Sequence, residues 1–508
     1  HLSIQESKSV SLNPADRVII NKLPTRVRGL DEVLGGGLPE FSFNLIAGAP
    51  GTGKTTLSQQ LMFALGTPDW PALHFTVVGE PSLKLLRYQQ QFSFFDPARV
   101  GSSVHYVNLS HATLEQGLDA VLDAIVAEVT RVGPAVVVVD SFRTVVRAAA
   151  AASDGGLELQ GFLERLAIQL TTWQVTSFLI GEYEEGDTPR NPVFTVADGI
   201  LWLYQSIDRN SGVRKLQVAK MRGQAPLPGL HTMRITGDGL DIFPRILRRN
   251  SDPAVKRPHR RLSTGVADLD AMLGGGIPSG DSILVTGPAG SGKSALATQF
   301  IAAGLAKGEP AVIAVFEEHP QEFIAHAKSR GPNLDAMIRK GLLEVIYMRP
   351  LDLSVDEALL EIQAAVVRAK AQRLVIDSLS GFELALAPTF REDFRESLYR
   401  MVGALTGAGV TVFMTTEVAQ TFTDLRFSSD LISFLTDDLI VQRYVELEGQ
   451  LHKVLTVIKM RGSDHSKALR LYEITSSGLV MGRELSDYRG IITGVAQRYQ
   501  RTESGTEE

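Results

Sequence analysis

Residues 287–294 read GPAGSGKS, and residues 48–55 read GAPGTGKT. Both stretches fit the pattern G-x-x-x-x-G-K-[ST], in which glycines let successive backbone N–H groups wrap around a phosphate. Each stretch follows an apolar run typical of a buried strand and precedes a run typical of a helix. That context is the one the motif requires, so the sequence predicts two nucleotide-phosphate loops.

The residue types within these loops predict separate roles. Lys54 and Lys293 are expected to reach the β- and γ-phosphates of ATP, and Thr55 and Ser294 to ligate Mg²⁺. A glycine-rich turn with an incidental lysine is the alternative, and the repetition of the motif argues against it. Further candidate contacts with the nucleotide are Gly48, Gly51, Thr52, Gly53, Thr56, Gly287, Gly290, Ser291, Gly292 and Ala295.

The two loops belong to an internal repeat that covers most of the chain. LDEVLGGGLP at 30–39 matches LDAMLGGGIP at 269–278, and KMRG occurs at both 220–223 and 459–462. Positions 30 and 269, 48 and 287, and 220 and 459 are each 239 residues apart. Matches in this order and at constant spacing predict two homologous domains in tandem.

Composition and patterning set the boundaries of these domains. The linker is basic and contains prolines, and we favour a solvated connector over a nucleic-acid contact for it. The predicted segments are a loose N-terminus at 1–17, a first domain at 18–247, the linker at 248–261, a second domain at 262–483 and a tail at 484–508.

Short β-branched runs alternate with longer amphipathic stretches in both repeats. AVVVVD at 135–140 is typical of a buried strand, and VDEALLEIQAAVVRAKAQ at 355–372 has apolar residues at helical spacing. Because the strand-like runs are almost continuously apolar, they predict an α/β fold with a mainly parallel sheet covered by helices on both faces.

The bulk composition of the 508 residues narrows the function classes. There are no cysteines, which excludes disulfides and thiolate chemistry and suits a cytoplasmic protein. The apolar runs are too short to cross a membrane, and the first residues are polar. With a net charge of −6, we expect neither nucleic acid nor membrane as a partner.

Carboxylates follow several of the predicted strands. Asp140 and Asp377 each end an apolar run, where a carboxylate can hold Mg²⁺ through water, although a helix cap is the alternative. Glu317 and Glu318 follow AVIAVF, and we expect them to act in catalysis as a base or a water-orienting group. Glu318 is also a candidate metal ligand. A pair of surface carboxylates is the other interpretation.

The first repeat lacks this glutamate pair. Pro81 matches Pro320, so Val78 and Gly79 take the places of the two glutamates. Glu80 is displaced by one residue, which turns its side chain to the other face of a strand. The first domain is therefore expected to bind ATP but to lack the group that hydrolyses it.

The KMRG segments place two cations at matching positions in each repeat. Lys220, Arg222, Lys459 and Arg461 could stabilise the γ-phosphate charge from a neighbouring subunit, as an arginine finger does. A solvated pair of cations at the end of a strand is the alternative.

Taken together, these motifs resemble those of a known family. Tandem domains with LGGG, a phosphate loop, FEE at 316–318, strand-end DS pairs at 140–141 and 377–378, and KMRG are similar to the KaiC family. KaiC proteins are RecA-like ATPases and autokinases of the bacterial circadian clock, and the resemblance covers residues 20–483.

The resemblance implies two RecA-like domains per chain and a homo-hexamer of two stacked rings. ATP is then bound between neighbouring subunits, with the KMRG cations reaching across the interfaces. It also implies slow ATP hydrolysis and reversible phosphorylation of an adjacent Ser–Thr pair in the second ring. There the paired glutamates activate the hydroxyl, and partner proteins of the clock regulate the cycle.

The sequence departs from the family pattern in three places. The glutamate pair survives only in the second repeat. The register with LTDD puts the Ser–Thr pair on Ser433 and Phe434, which leaves Ser433 as the phosphoacceptor, with Ser428 and Ser429 nearby. The tail differs after YRGIITG at 488–494, so regulation by a clock partner is an open question.

Two other functions remain open from the sequence. A RecA-type DNA-dependent ATPase or recombinase would share the phosphate loops, but the negative net charge and an aromatic content of 7% argue against it. A nucleotide-gated scaffold with little catalysis would suit the first repeat.

Overall fold

The computed structural model describes residues 20–77, 82–109, 116–145, 155–184, 186, 191–208, 211–245, 260–328, 333–348, 353–386, 394–418, 436–491 and 497–498. Several predicted positions lie outside these described residues: Ser433, Ser428, Ser429, Val78, Gly79 and Glu80.

The chain divides into two compact units, the first of which ends at Arg245. Within its described residues, the first unit contains a nine-stranded sheet. Across this sheet the strands run in the spatial order Gly239–Phe243, His231–Thr236, Ser211–Met221, Gly199–Asp208, Phe43–Gly48, Thr176–Gly181, Val136–Asp140, Ala72–Val77 and Val104–Leu109.

The second unit repeats this architecture. Its main sheet also has nine strands within the described residues. Their spatial order is Leu343–Tyr347, Ala311–Val315, Arg373–Asp377, Thr411–Glu417, Ser282–Gly287, Asp438–Leu447, Gln450–Lys459, Arg470–Thr475 and Gly478–Glu484.

Each sheet combines a parallel block with an antiparallel extension. The strand that leads into the phosphate loop, Phe43–Gly48 or Ser282–Gly287, has a parallel neighbour on both sides. His231–Thr236, the strand after the first KMRG segment, pairs antiparallel with Ser211–Met221. In the second unit, Arg470–Thr475 pairs antiparallel with Gln450–Lys459 in the same way. The predicted fold class, two tandem RecA-like domains with mainly parallel sheets, is confirmed; the antiparallel extension is a detail that the sequence did not specify.

Short two-stranded pairings accompany the main sheets. They join Lys22–Leu23 to Leu38–Pro39, Arg261–Leu262 to Ile277–Pro278, and Tyr488–Arg489 to Gln497–Arg498. Arg261 is thus part of the second unit, where its guanidinium donates to the Leu273 and Gly276 carbonyls.

Helices connect the strands of both units. In the first unit they span Leu30–Leu34, Lys54–Leu65, Ser82–Gln89, Leu118–Val132, Gly155–Thr172 and Val193–Val196, with a 3₁₀ turn at Pro97–Arg99. In the second unit they span Ala267–Met272, Lys293–Leu305, Pro320–Lys328, Leu334–Arg339, Val355–Ala369, Leu379–Ala385 and Phe394–Gly407.

Both faces of the first sheet are buried. Successive residues of one strand enter different core clusters: Leu45 packs in the cluster that contains Val137, and Ile46 in the cluster that contains Val138. Side chains alternate across a strand, so this division places one core on each face. It explains why the strands are apolar throughout rather than at every second residue.

The repeated LGGG stretches end the first short helix of each unit in a turn that needs glycine. Gly35, Gly36 and Gly37 have φ values of 83°, 117° and 122°. A Cβ atom on Gly37 would lie 2.6 Å from the Leu23 carbonyl oxygen, and one on Gly276 would lie 2.5 Å from that of Leu262. Because any side chain would collide with the paired strand, both copies keep glycine.

Candidate nucleotide-binding sites

The phosphate loops begin at the carboxyl ends of the central strands and lead directly into helices. Lys54 and Lys293 are the first residues of these helices, and the preceding glycines, Gly53 and Gly292, have φ values of 103° and 100°. The loop N–H groups and the helix N-terminus together form an anion site. All the predicted contact residues of both loops lie in these two segments.

The two loop lysines are buried and turned back onto the loop backbone. Lys54 Nζ donates to the Ala49 carbonyl at 2.8 Å, and Lys293 Nζ to the Gly287 and Pro288 carbonyls at 2.9 and 2.8 Å. Burial lowers the pKa of both lysines. Carboxylates oppose that shift in the pKa: Glu182 and Asp140 for Lys54, and Glu417, Asp377 and Glu317 for Lys293.

The structure brings the predicted metal-binding hydroxyls and carboxylates together. In the first unit, Thr55 Oγ1 donates to Asp140 Oδ2 at 2.9 Å. In the second unit, burial raises the pKa of Asp377, and hydrogen bonds from Thr415 and Ser294 lower it. These bonds keep the carboxylate next to the phosphate loop.

Paired hydroxyl and carboxylate oxygens are hard ligands of the kind that Mg²⁺ takes beside nucleotide phosphates. Among the residues that the structure describes, no group of three or more His, Asp or Glu side chains is arranged to hold a metal by itself. One hydroxyl and one carboxylate leave most positions around such a cation for phosphate and water oxygens.

A cavity of about 310 Å³ opens beside the first loop. Lys54, Thr55, Asp140 and Glu182 all line it. Its size falls at the lower end of the range for small-molecule sites.

The paired glutamates of the second unit diverge. Ser378 Oγ donates to Glu317 Oε1 and accepts from the Gly381 N–H at 3.0 Å, so the start of helix Leu379–Ala385 holds Glu317 beside Asp377. Glu318 instead contacts His326 Nδ1 on helix Pro320–Lys328. Glu317 thus shares the environment of Lys293, whereas Glu318 borders a separate cavity of about 230 Å³ with Ser294.

Each site contains a further carboxylate that was not predicted from the sequence. Glu182 follows strand Thr176–Gly181, and Glu417 ends strand Thr411–Glu417. Each strand is the parallel neighbour of a loop strand, with Ala47 paired to Gly181 and Gly287 to Glu417. The recurrence of glutamate at the end of TSFLIGE and TVFMTTE was the signal that could have revealed them.

The KMRG arginines lie at the opposite edge of each sheet. Arg222 Nη1 contacts Asp198 Oδ1 at 3.0 Å, and Asp198 Oδ2 accepts from the backbone N–H of Phe43 at 3.1 Å. Phe43 is the first residue of the strand that leads into the phosphate loop, and Gly48 is its last. The backbone of Phe43, to which Asp198 ties Arg222, therefore lies about 16 Å from the phosphate loop of the same unit.

The second unit has the same arrangement. Arg461 Nη1 lies 3.5 Å from Asp437 Oδ1, and Asp437 Oδ2 accepts from the Ser282 N–H at 3.0 Å. The Arg222 and Arg461 side chains are 63% and 78% exposed. These arginines are therefore accessible, but they are not part of the phosphate site of their own domain.

The KMRG lysines are held at the same edge. Lys220 Nζ donates to the Thr195 carbonyl at 3.0 Å, and Lys459 Nζ donates to the Thr436 carbonyl. Burial and the nearby Arg222 lower the pKa of Lys220.

The fold and the two loops define a tandem P-loop ATPase of the RecA-like class. A family model described as the KaiC ATPase matches residues 23–246 and, again, residues 262–486. The chain therefore belongs to the KaiC family of ATPases.

Several curated relatives are similar over nearly the whole chain. Circadian clock oscillator protein KaiC of Rippkaea orientalis is 30% identical over 494 residues, covering 94% of this chain and 92% of the relative. The KaiC of a Picosynechococcus species is 29% identical, with 94% and 93% covered. KaiC 1 of a Synechocystis species is 30% identical, with 94% and 92% covered. In the described part of the chain, no helix is long and apolar enough to cross a membrane.

The contact between Thr55 and Asp140 predicts how magnesium dependence changes on mutation. In a Lys293→Ala background, Thr55→Val should weaken ATP binding about tenfold when Mg²⁺ is present, because one cation ligand is lost. Calorimetric titration with and without Mg²⁺ measures the effect. Thr55→Ser, which keeps the hydroxyl, is the matched control. If Thr55→Val weakened ATP binding equally in EDTA, the hydroxyl would stabilise the phosphate loop and would not bind the cation.

Proposed function

We propose that this protein is an ATP-driven clock or timer component whose second domain hydrolyses ATP and phosphorylates a serine of its own chain. The observation that carries the proposal is the hydrogen bond from Ser378 to Glu317, which holds that carboxylate beside Asp377 and the loop lysine Lys293. The relatives named as circadian clock oscillator proteins support the same biological setting. A cytoplasmic location and Kai-type partner proteins are part of the proposal.

The residues of the second site divide the chemistry among them. Lys293 and the loop N–H groups hold the β- and γ-phosphates, and Ser294 and Asp377 hold the magnesium ion, which when bound neutralises phosphate charge. Glu317 accepts the proton of the attacking water or serine hydroxyl, because it is the carboxylate that Ser378 holds beside Asp377. We assign Glu318 to orienting or metal binding from the neighbouring cavity.

The positions of the KMRG cations support a homo-hexamer with ATP at the subunit interfaces. Arg461 and Lys459 are anchored at the far edge of their own sheet, so they serve a phosphate only when a neighbouring subunit presents one. We propose the same for Arg222 and Lys220 in the first domain, and a stack of two rings as the assembly.

The two domains then do different work. The first keeps the loop lysine, the Thr55–Asp140 pair and its cavity, but its sequence has Val78 and Gly79 in place of the glutamates. We propose that the first domain binds ATP as a structural ligand that stabilises the assembly. The second domain hydrolyses ATP and transfers its phosphate.

Removal of the second-domain carboxylates should abolish most of the ATPase activity. In Glu317→Gln with Glu318→Gln, the loss of the base lowers second-domain turnover by about a hundredfold or more. Phosphate release measures it, and Glu322→Gln, an exposed carboxylate on the adjacent helix, is the control. If more than about half of the total activity persisted, the first domain would be a hydrolysing site.

The autokinase proposal predicts a phosphoserine close to LTDD. After incubation with Mg-ATP, mass spectrometry of residues 421–450 should find one phosphate on Ser433, and Lys293→Ala should lose it because the donor site is gone. Lys54→Ala, assayed as assembled hexamer, should keep it. A phosphate only on Ser428 or Ser429 would move the acceptor, and none in the wild-type chain would refute the kinase activity.

A further inference from the structure

One position beside the phosphate loops carries a charge in the first unit and not in the second. Three residues after Asp140 the chain has Arg143, and three residues after Asp377 it has Ser380. Both side chains contact the glutamate at the end of the neighbouring strand. Arg143 Nη1 donates to the Glu182 carbonyl at 2.7 Å, and Ser380 Oγ accepts from the Glu417 N–H at 2.9 Å. The two residues therefore occupy equivalent places in the two sites.

That place adjoins Glu182, which is a residue of the first cavity's wall. Glu182, the residue that anchors the guanidinium, lines the cavity together with Lys54 and Thr55. Against the effect of burial, Glu182 and then Asp140 raise the pKa of Lys54. The anchoring bond uses one of the five N–H donors of Arg143, and a guanidinium is suited to binding phosphate oxygens through two donors at once.

The charges around the two loops consequently differ. Among the described residues, the carboxylates acting on Lys54 are Glu182 and Asp140, and Arg143 stands beside them. The carboxylates acting on Lys293 are three, Glu417, Asp377 and Glu317, and a neutral serine replaces the arginine. The first site is therefore more favourable to the charge of a bound triphosphate.

We propose that Arg143 binds the terminal phosphate of the nucleoside triphosphate held in the first domain, from within the same subunit. The residue would distinguish triphosphate from diphosphate there, and so keep ATP in a site that lacks the glutamate pair. The inference rests on the proposed binding of ATP by the first domain, and it adds a γ-phosphate contact that is separate from the cations of a neighbouring subunit.

The test is the ratio of the affinities for Mg-ATP and Mg-ADP in the full-length chain with Lys293→Ala, which disables the second site. Competition against a fluorescent ATP analogue gives both affinities. Arg143→Ser, which installs the second-domain residue, should weaken Mg-ATP binding at least about tenfold and Mg-ADP binding less than about twofold. Arg143→Lys, which keeps the charge, should restore part of the difference.

Arg143→Gln separates the loss of the positive charge from the loss of a side-chain N–H donor, because its amide keeps a donor without the charge. The proposal expects Arg143→Gln to lose the preference for ATP as Arg143→Ser does. An unchanged ATP-to-ADP ratio in Arg143→Gln, or an equal loss of both affinities in Arg143→Ser, would overturn it. If the Lys293→Ala background binds no ATP, ATP binding by the first domain is itself refuted.

Discussion

The common direction of the parallel strands is the constraint on which both sites depend. Within each parallel block, all carboxyl ends meet at one edge of the sheet, so residues far apart in sequence converge there. In the second unit this edge collects the phosphate loop after Gly287, the Asp377–Ser378 turn and Glu417. The amino ends meet at the other edge, where Asp437 fixes Arg461. In the proposed assembly, each domain therefore contributes to one site with each edge of its sheet.

The two domains use one scaffold for different chemistry. The loop, its lysine and the strand-end aspartate recur almost unchanged, and they are the parts that hold phosphate and cation. Two of the differences lie at matching sequence positions: Glu317 and Glu318 align with Val78 and Gly79, and Ser380 aligns with Arg143. In the proposed division of labour, one set activates a nucleophile and the other retains the nucleotide.

The sequence predicted the fold class and both phosphate loops because these rest on local patterns and on the repeat. Backbone conformation explains the glycines of the phosphate loops and LGGG turns. Burial on both faces of the sheet explains the fully apolar strands. Both patterns are visible in a short stretch of sequence. Glu182, Glu417 and Arg143 escaped prediction because their neighbours are set by the spatial order of strands. Nothing local in TSFLIGE shows that strand Thr176–Gly181 pairs with Phe43–Gly48. The serine that seats Glu317 likewise comes from a different strand end.

The central claim is that the cations at one edge complete a phosphate site at the opposite edge of a neighbouring subunit. Mixing Lys293→Ala with Arg461→Ala subunits tests it directly, since each variant supplies what the other lacks. The account predicts that each variant alone has lost second-domain ATPase activity, and that mixed hexamers regain it at about a quarter of the second-domain sites. A mixture no more active than the average of the separate variants would contradict the account.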